Sequence, residues 1–315
     1  IDQLAVTRVN DNGFANGDVM GVYIVDYNGN TPGELKLEGN RGDNVRHTYD
    51  EVNAKWNSAY DIFWKDKHTP IDVYGYYPYG KPESISDYEF TVQRDQSKPT
   101  ADGEMGGYEQ SDFLWGKATD VAPTTSVIRL PLAHRMSCAR ITLVEGSGFA
   151  SGEWASTTKT VLLSNLIRKA TIDLSTGVVA AKGSVEGTAT LPAETGNEWR
   201  AIVVPQAVKA GTTLFSITIG GTPYNFKKNE DFTYVPGKMC NFSIRVDKKE
   251  GTGQYHLTLI SESITAWEND LVSHNAQAKE YVVIHSEAGK LRQCIEAAHK
   301  DWRTLKNLKL TGSIN

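Results

Sequence analysis

Phe215-Ser216-Ile217-Thr218-Ile219-Gly220-Gly221-Thr222-Pro223-Tyr224-Asn225-Phe226 sets two alternating runs on either side of a Gly-Gly pair. Phe215, Ile217 and Ile219 fall on one face, Ser216 and Thr218 on the other, and Tyr224 and Phe226 resume the alternation after the turn. Side chains of a strand point to opposite faces in succession, so a period of two marks a strand with one buried face. Both glycines tolerate the positive φ of a tight hairpin turn. The stretch therefore predicts a β-hairpin, and the same period continues on either side. Ala170, Ile172 and Leu174 alternate with Thr171 and Asp173 before Thr176-Gly177. Beyond Pro236-Gly237-Lys238, the residues Cys240, Phe242, Ile244 and Val246 alternate with Asn241, Ser243 and Arg245, and Tyr255, Leu257 and Leu259 close the series.

The first half has the same character with shorter runs. Val19 to Val25 is a β-type run, apolar on both faces, that ends in the turn-rich Asp26-Tyr27-Asn28-Gly29-Asn30. Ile71-Asp72-Val73-Tyr74-Gly75-Tyr76-Tyr77 is β-branched and aromatic, the kind of side chain that packs well on a pleated surface, and stops at Pro78. Short strands with an apolar face need a second sheet to cover it, which makes the β-sandwich the economical architecture. The glycine- and acid-rich segment from Pro99 to Gln110 reads as a long loop, with a domain boundary between it and Arg135. The expectation is a mainly β chain with sandwich domains at 1–130 and 131–269.

Residues 270–315 break the pattern. Glu280 to His285 predicts a strand, and Leu291, Ile295, Ala298 and Trp302 then fall at the four-three-four spacing of an amphipathic helix, with Ser286 as its N-cap. Leu305, Leu308 and Leu310 complete Leu-x-x-Leu-x-Leu, the strand element of a leucine-rich repeat. One such unit cannot bury its own apolar face, so this segment is expected to be the cap of a longer repeat domain.

Composition excludes more than it identifies. A formal charge of −5 with both signs interspersed argues against nucleic acid as a partner, which selects a basic stripe. No apolar run is long enough to span a bilayer. Cys138, Cys240 and Cys294 make neither a disulfide framework nor a zinc spacing with the seven histidines, and the first two sit in apolar alternations that predict buried free thiols. No Gly-x-Ser-x-Gly elbow, His-Glu-x-x-His, phosphate loop or dinucleotide fingerprint occurs, so no enzyme, catalytic residue, cofactor or metal is expected.

Several segments, taken in order, resemble the fimbrillin-like family of Bacteroidetes across roughly 1–267. They are Gly17-Asp18 with Gly21-Val22-Tyr23-Ile24, Trp56, Ile62-Phe63-Trp64, Tyr74-Gly75-Tyr76-Tyr77-Pro78-Tyr79 and Asp112-Phe113-Leu114-Trp115. Leu130-Pro131-Leu132-Ala133-His134-Arg135-Met136-Ser137 follows, then Ile172 to Gly177, Val204-Pro205-Gln206, Phe232 to Gly237 and Ile264-Thr265-Ala266-Trp267. The resemblance implies transthyretin-like sandwiches, export as a lipoprotein, and cell-surface or fimbrial display anchored in the outer membrane. It implies partners among other surface or fimbrial subunits and among cell-surface receptors, protein or glycan. Fimbrial members assemble by strand addition after proteolysis opens a groove, so an apolar groove at a sandwich edge is the feature to look for. The lipobox cysteine expected near the start is absent from the sequence and is taken as lost with the leader. The repeat-like end shifts the expectation from a pilus rod toward a surface adhesin carrying a further module. A fimbrial subunit and a carbohydrate-binding surface lipoprotein are the alternatives.

Four local features are candidates. Arg41-Gly42-Asp43 is the tripeptide that integrins read, in a polar stretch from Glu38 to Asp50 expected to be an exposed loop. Arg8, Arg41 and Arg46 are candidate cleavage points for an arginine-directed protease, by analogy with fimbrial members so matured. Asp26, Asn28 and Asn30 have the opening spacing of a calcium loop but lack its Gly and Glu, which favours a turn. Tyr74, Tyr76, Tyr77 and Tyr79, with Trp56 and Trp64, could stack on sugars if exposed, although core packing is the expected role.

Overall fold

The computed structural model describes residues 4–7, 14–101, 105–187, 190–267, 282–286 and 308–312. The chain divides into two compact units, Ile1–Glu268 and Asn269–Asn315. The first unit opens with β1 (Leu4–Thr7), β2 (Val19–Asp26), β3 (Gly42–Asp50), β4 (Lys55–Ser58), β5 (Ile71–Tyr77), β6 (Tyr88–Thr91) and the short helix α1 (Gly107–Ser111). It continues through β7 (Leu114–Val121), β8 (Ile128–Pro131), β9 (Ala133–His134), β10 (Ser137–Glu145), helix α2 (Glu153–Ser156), β11 (Lys159–Leu163), β12 (Lys169–Asp173) and β13 (Val178–Ala181). It closes with β14 (Ala193–Thr195), β15 (Glu198–Val203), β16 (Gln206–Val208), β17 (Thr213–Ile219), β18 (Thr222–Lys227), β19 (Phe232–Tyr234), β20 (Lys238–Lys248) and β21 (Tyr255–Ala266). The chain is mainly β, with sheets packed as sandwiches.

Burial explains the order of strands. An eight-stranded sheet, β8-β1-β4-β3-β2-β5-β7-β9, has its central strands covered on both sides. Met20, Val22 and Ile24 of β2 join Ile71, Val73 and Tyr77 of β5 in one core cluster, with Trp56 and Leu130. Tyr23, Val25, Tyr74 and Tyr76, one residue out of phase, face a second cluster with Phe113 and Trp115. This is why both runs read as apolar on both faces rather than as alternating. The second cluster also takes Ala170 and Ile172 from β12 with Leu174 just after it, and Ile202 from β15 with Val204 just after it, while β6 pairs directly with β12. Residues before and after 130 therefore share a core. The third cluster lies between the five-stranded sheet β14-β15-β10-β20-β21 and the three-stranded sheet β11-β17-β18. The opening hairpin is β17–β18, with Ile219 opposite Thr222 across Gly220-Gly221, both at positive φ.

Two expectations are corrected. The stretch from Glu38 to Asp50 is not a loop: Gly42–Asp50 is β3, paired with β2 and β4, with Val45 and His47 buried beneath an otherwise polar face. One buried aliphatic residue among polar neighbours was too weak a pattern to read as strand. The loop expected at Pro99–Gln110 is cut short by α1, whose Ser111 hydroxyl donates to the Gly107 carbonyl. Cys138 and Cys240 are buried free thiols, and burial pushes the Cys138 thiol up to about 12.

The second unit contains β22 (Val282–Ser286) and β23 (Leu308–Gly312), paired in parallel with Val282 opposite Leu308. A parallel pair needs a crossover between its strands. The residues between them, which carry the expected helix at Leu291–Trp302, lie outside the described residues.

Gly116 of β7 sets a close approach in the first sheet: a Cβ there would collide with the Pro131 carbonyl oxygen and lie 3.1 Å from Leu132 Cα. Backbone cannot move aside as a flexible side chain can. Gly116→Ala is expected to destabilise the first unit by about 1–3 kcal/mol, measured as a shift in the urea midpoint at unchanged slope.

Candidate assembly edge

Strand β21 lies at the open side of the second sandwich. It pairs along one edge with β20, from Lys238 opposite Ala266 to Lys248 opposite Tyr255, and among the described residues no strand pairs with its other edge. Twelve residues long, it contains no Lys, Arg or Pro. Edges of this length are usually blunted by Lys, Pro or inward charge, because a row of free N–H and C=O groups will pair with any extended chain. Facing β21 across the sandwich is β18, the edge of the three-stranded sheet. There Pro223 removes a backbone donor, a residue type confined to edges in sheets. Of the two edges that border this opening, β21 is the one without proline.

Between the two edges runs a groove of about 480 Å³ lined by Ile217, Tyr224, Phe226, Ile244, Leu257 and Leu259. Two contacts bridge it. The Tyr255 amide donates to the Tyr224 hydroxyl at 2.9 Å, and the Lys228 ammonium meets the Glu262 carboxylate at 2.6 Å. Burial works against the Lys228 charge, but the Glu262 and Glu230 carboxylates outweigh it and leave the lysine pKa raised. Along β21 the inward residues Tyr255 and Leu257 pack on the third core cluster. At Ile260 the register slips, with Ser243 opposite Ser261 but Ile244 opposite Leu259, so one residue bulges from the ladder. Leu259, Ile260 and Ile264 are large apolar side chains left in solvent, Ile260 and Ile264 each 48% exposed.

The residues singled out from sequence fall elsewhere. Arg41 is held by a bidentate pair to Asp26, with Nη2 2.5 Å from Oδ2, so a receptor would have to compete with Asp26 for it. Asp43 accepts from the Gly39 and Asn40 amides at 2.8 and 2.9 Å, and Gly42 is buried at the start of β3. Arg46 is exposed, but its backbone lies inside the β2–β3–β4 ladder, whereas proteases nick exposed loop tips. Arg8 lies outside the described residues, directly after β1. Asn28 and Thr31 exchange backbone hydrogen bonds around Gly29, and Asp26 is engaged by Arg41, so this segment is a turn. Trp56, Tyr74, Tyr76 and Tyr77 are core residues that offer no ring face to a sugar, Trp64 and Tyr79 are half-buried, and among the described residues Tyr60 and Phe63 are exposed rings. His134 is buried against Asp112.

The edge itself was not anticipated. Its signal in the sequence was the run from Tyr255 to Ala266 without Lys, Arg or Pro, together with Pro223 in the hairpin strand that faces it.

The Fimbrillin-like family model matches residues 7–267. The chain belongs to the fimbrillin-like family. Solved structures share its fold, among them two from Bacteroides. A protein of Bacteroides uniformis proposed to act in cell adhesion superposes with a TM-score of 0.62 at 16% identity, over 85% of this chain and 98% of its own. A second such protein, of Bacteroides ovatus, gives a TM-score of 0.58 at 16% identity, over 84% of this chain and 97% of its own. No curated protein matches the chain. The expected fimbrillin-like membership and mainly β sandwich fold thus hold for this chain, and its place in the family ties it to the cell surface.

The two bridges contribute unequally to the fimbrillin-like chain's stability. Tyr224→Phe is expected to cost about 0.5–1.5 kcal/mol, because the Tyr255 amide loses its acceptor. Glu262→Gln, at a pair partly screened by solvent, is expected to cost under about 1 kcal/mol. The double variant should lose the sum of the two, read by chemical denaturation.

Proposed function

We propose that this chain is a fimbrillin-like cell-surface adhesion protein that joins a partner subunit by accepting an extended strand at β21. The observation that carries the reading is this long edge without Lys, Arg or Pro, beside a groove lined mainly by apolar and aromatic side chains. Strand addition draws affinity from backbone pairing and specificity from pockets for alternate side chains, and the edge and groove supply one each. In this reading the partners are other surface or fimbrial subunits, the ultimate receptor is a protein or glycan on another cell, and a lipid anchor holds the protein at the outer membrane. In this reading residues 1–130 and 131–269 supply the bulk of the two sandwiches, with β8 and β9 completing the first sheet and β6 pairing with β12 across the division. Residues 270–315 begin a leucine-rich repeat that presents a further adhesive module, a role supported by the parallel pairing of β22 and β23.

A second reading, a fimbrial subunit proper, is favoured by one feature. Strand β1 pairs in parallel with β8 from Leu4 opposite Ile128 to Thr7 opposite Pro131, and Leu4 also pairs with Trp56 of β4. Cleavage after Arg8 would release β1 and leave a vacant position between β8 and β4 for a neighbour's strand.

The test is surface expression of the full gene in a Bacteroides host, with antibody labelling of intact cells and an assay of cell aggregation. Ile260→Lys with Ile264→Lys should leave labelling unchanged and abolish aggregation, because charge on an edge blocks strand addition. Unchanged aggregation by this displayed variant would refute the edge as the adhesive element. Ladder-forming oligomers that appear only after cleavage at Arg8 would favour the fimbrial-subunit reading.

A further inference from the structure

Three segments distant in sequence meet where β21 ends. His134 of β9 is buried, with Nδ1 2.7 Å from Asp112 Oδ1, and Asp112, which follows α1, is buried too. The indole of Trp267 lies flat on the imidazole, with centroids 3.6 Å apart and planes within 9°. The Trp267 amide donates to the Gly237 carbonyl at 3.2 Å, and the Gly237 amide donates to the Met136 carbonyl at 2.7 Å. Gly237 has φ +62, and a Cβ there would lie 3.0 Å from the His134 carbonyl oxygen, so the turn before β20 is drawn tight against β9. Trp267 is half-buried against the second core cluster.

Between this knot and the inward-packed part of β21, every residue from Leu259 to Ala266 is exposed. That portion contributes no residue to a core cluster, and its apolar side chains Leu259, Ile260 and Ile264 are only part-covered. It is held along one side by its ladder to β20, midway by the Lys228–Glu262 pair and the Asn241 side chain on Thr265, and at its end by Trp267. Segments with few buried apolar contacts and solvent-exposed backbone hydrogen bonds open at low free energy. A ladder anchored only at its inner end would fray from the Trp267 side.

We infer that Asp112, His134 and Trp267 form a latch that fixes the outer end of β21 at the point where the chain leaves the first unit. Asp112 sets the imidazole plane through the hydrogen bond to Nδ1, and the imidazole presents a flat face to the indole. The stack is near parallel, so the contact resists sliding less than separation. His134 Nε2 is buried with no hydrogen-bond partner. Lifting Trp267 would admit water to that nitrogen, and its hydration offsets part of the lost stacking. The latch is therefore reversible: closed, it keeps the outer part of β21 in register; open, it frees residues 261–267 without disturbing the core cluster under Tyr255 and Leu257. The inference does not depend on what, if anything, pairs with β21.

Hydrogen–deuterium exchange on the full chain tests it, with Trp267→Ala, Trp267→Phe and His134→Phe compared with the unaltered protein. Trp267→Ala should lower protection of amides 261–267 by about tenfold, the size expected for loss of one aromatic stack, and leave β10, β15 and β17 unchanged. Trp267→Phe keeps a stacked ring and should retain most of that protection. His134→Phe keeps a ring but frees its plane from Asp112, and should give intermediate protection with the core strands intact. Unchanged protection of 261–267 in Trp267→Ala would overturn the latch. A uniform loss across all strands would also overturn it, because Trp267 would then act as a general stabilising contact.

Discussion

A sheet that does not close on itself must end somewhere, and its last strand carries a row of backbone groups with no partner. In this protein that constraint falls on β21. The five-stranded sheet is built outward from β10 and β20, whose parallel pairing sets Ile141 opposite Phe242 and Leu143 opposite Ile244 in the third core cluster. Burial there is worth tens of cal/mol per Å² and fixes the register of everything that follows. On the outer side of β20 the apolar supply runs out. β21 packs inward through Tyr255 and Leu257 and then continues in solvent, so the sheet ends in a strand that is ordered by pairing more than by packing.

The rest of the first unit holds the base of that edge in place. β2 and β5 are buried on both faces, and the second core cluster ties them to β12 and to the end of β15, which also belongs to the five-stranded sheet. The eight-stranded sheet is folded close upon itself at Gly75 and Gly116, where side chains would strike Leu130 and Pro131. An edge held this way costs little entropy to present to an incoming strand, because it is already extended. A flexible segment would lose about 1–2 kcal/mol of backbone freedom for each residue it ordered on binding.

Much of the fold was legible because period two is a direct consequence of strand geometry. The alternation of Cys240, Phe242, Ile244 and Val246 placed β20, and the glycine pair at 220–221 placed the β17–β18 hairpin. β3 was not legible, since Val45 is its only aliphatic residue turned inward, and the other two inward residues are a histidine that does not look apolar and a half-buried tyrosine, Tyr49. The candidate site was less visible than the fold. Arg41-Gly42-Asp43 attracted notice as a tripeptide, yet its arginine and aspartate are engaged by Asp26, Gly39 and Asn40, partners that no local pattern reveals. The edge was hidden for the opposite reason: it is defined by what is missing from 255–266, and a pattern search looks for what is present. The convergence of Asp112, His134 and Trp267 depends on tertiary folding alone, even though each lies in one of the segments that carry the family resemblance.

The central claim is that β21 is the edge at which this fimbrillin-like protein engages its partner. The most direct measurement is a cryo-electron microscopy structure of the adhesive assembly. The account predicts a further strand alongside β21, about 4.8 Å away on the side opposite β20, with its side chains entering the groove between Tyr224 and Leu259. An assembly in which that side of β21 still faces solvent would contradict it.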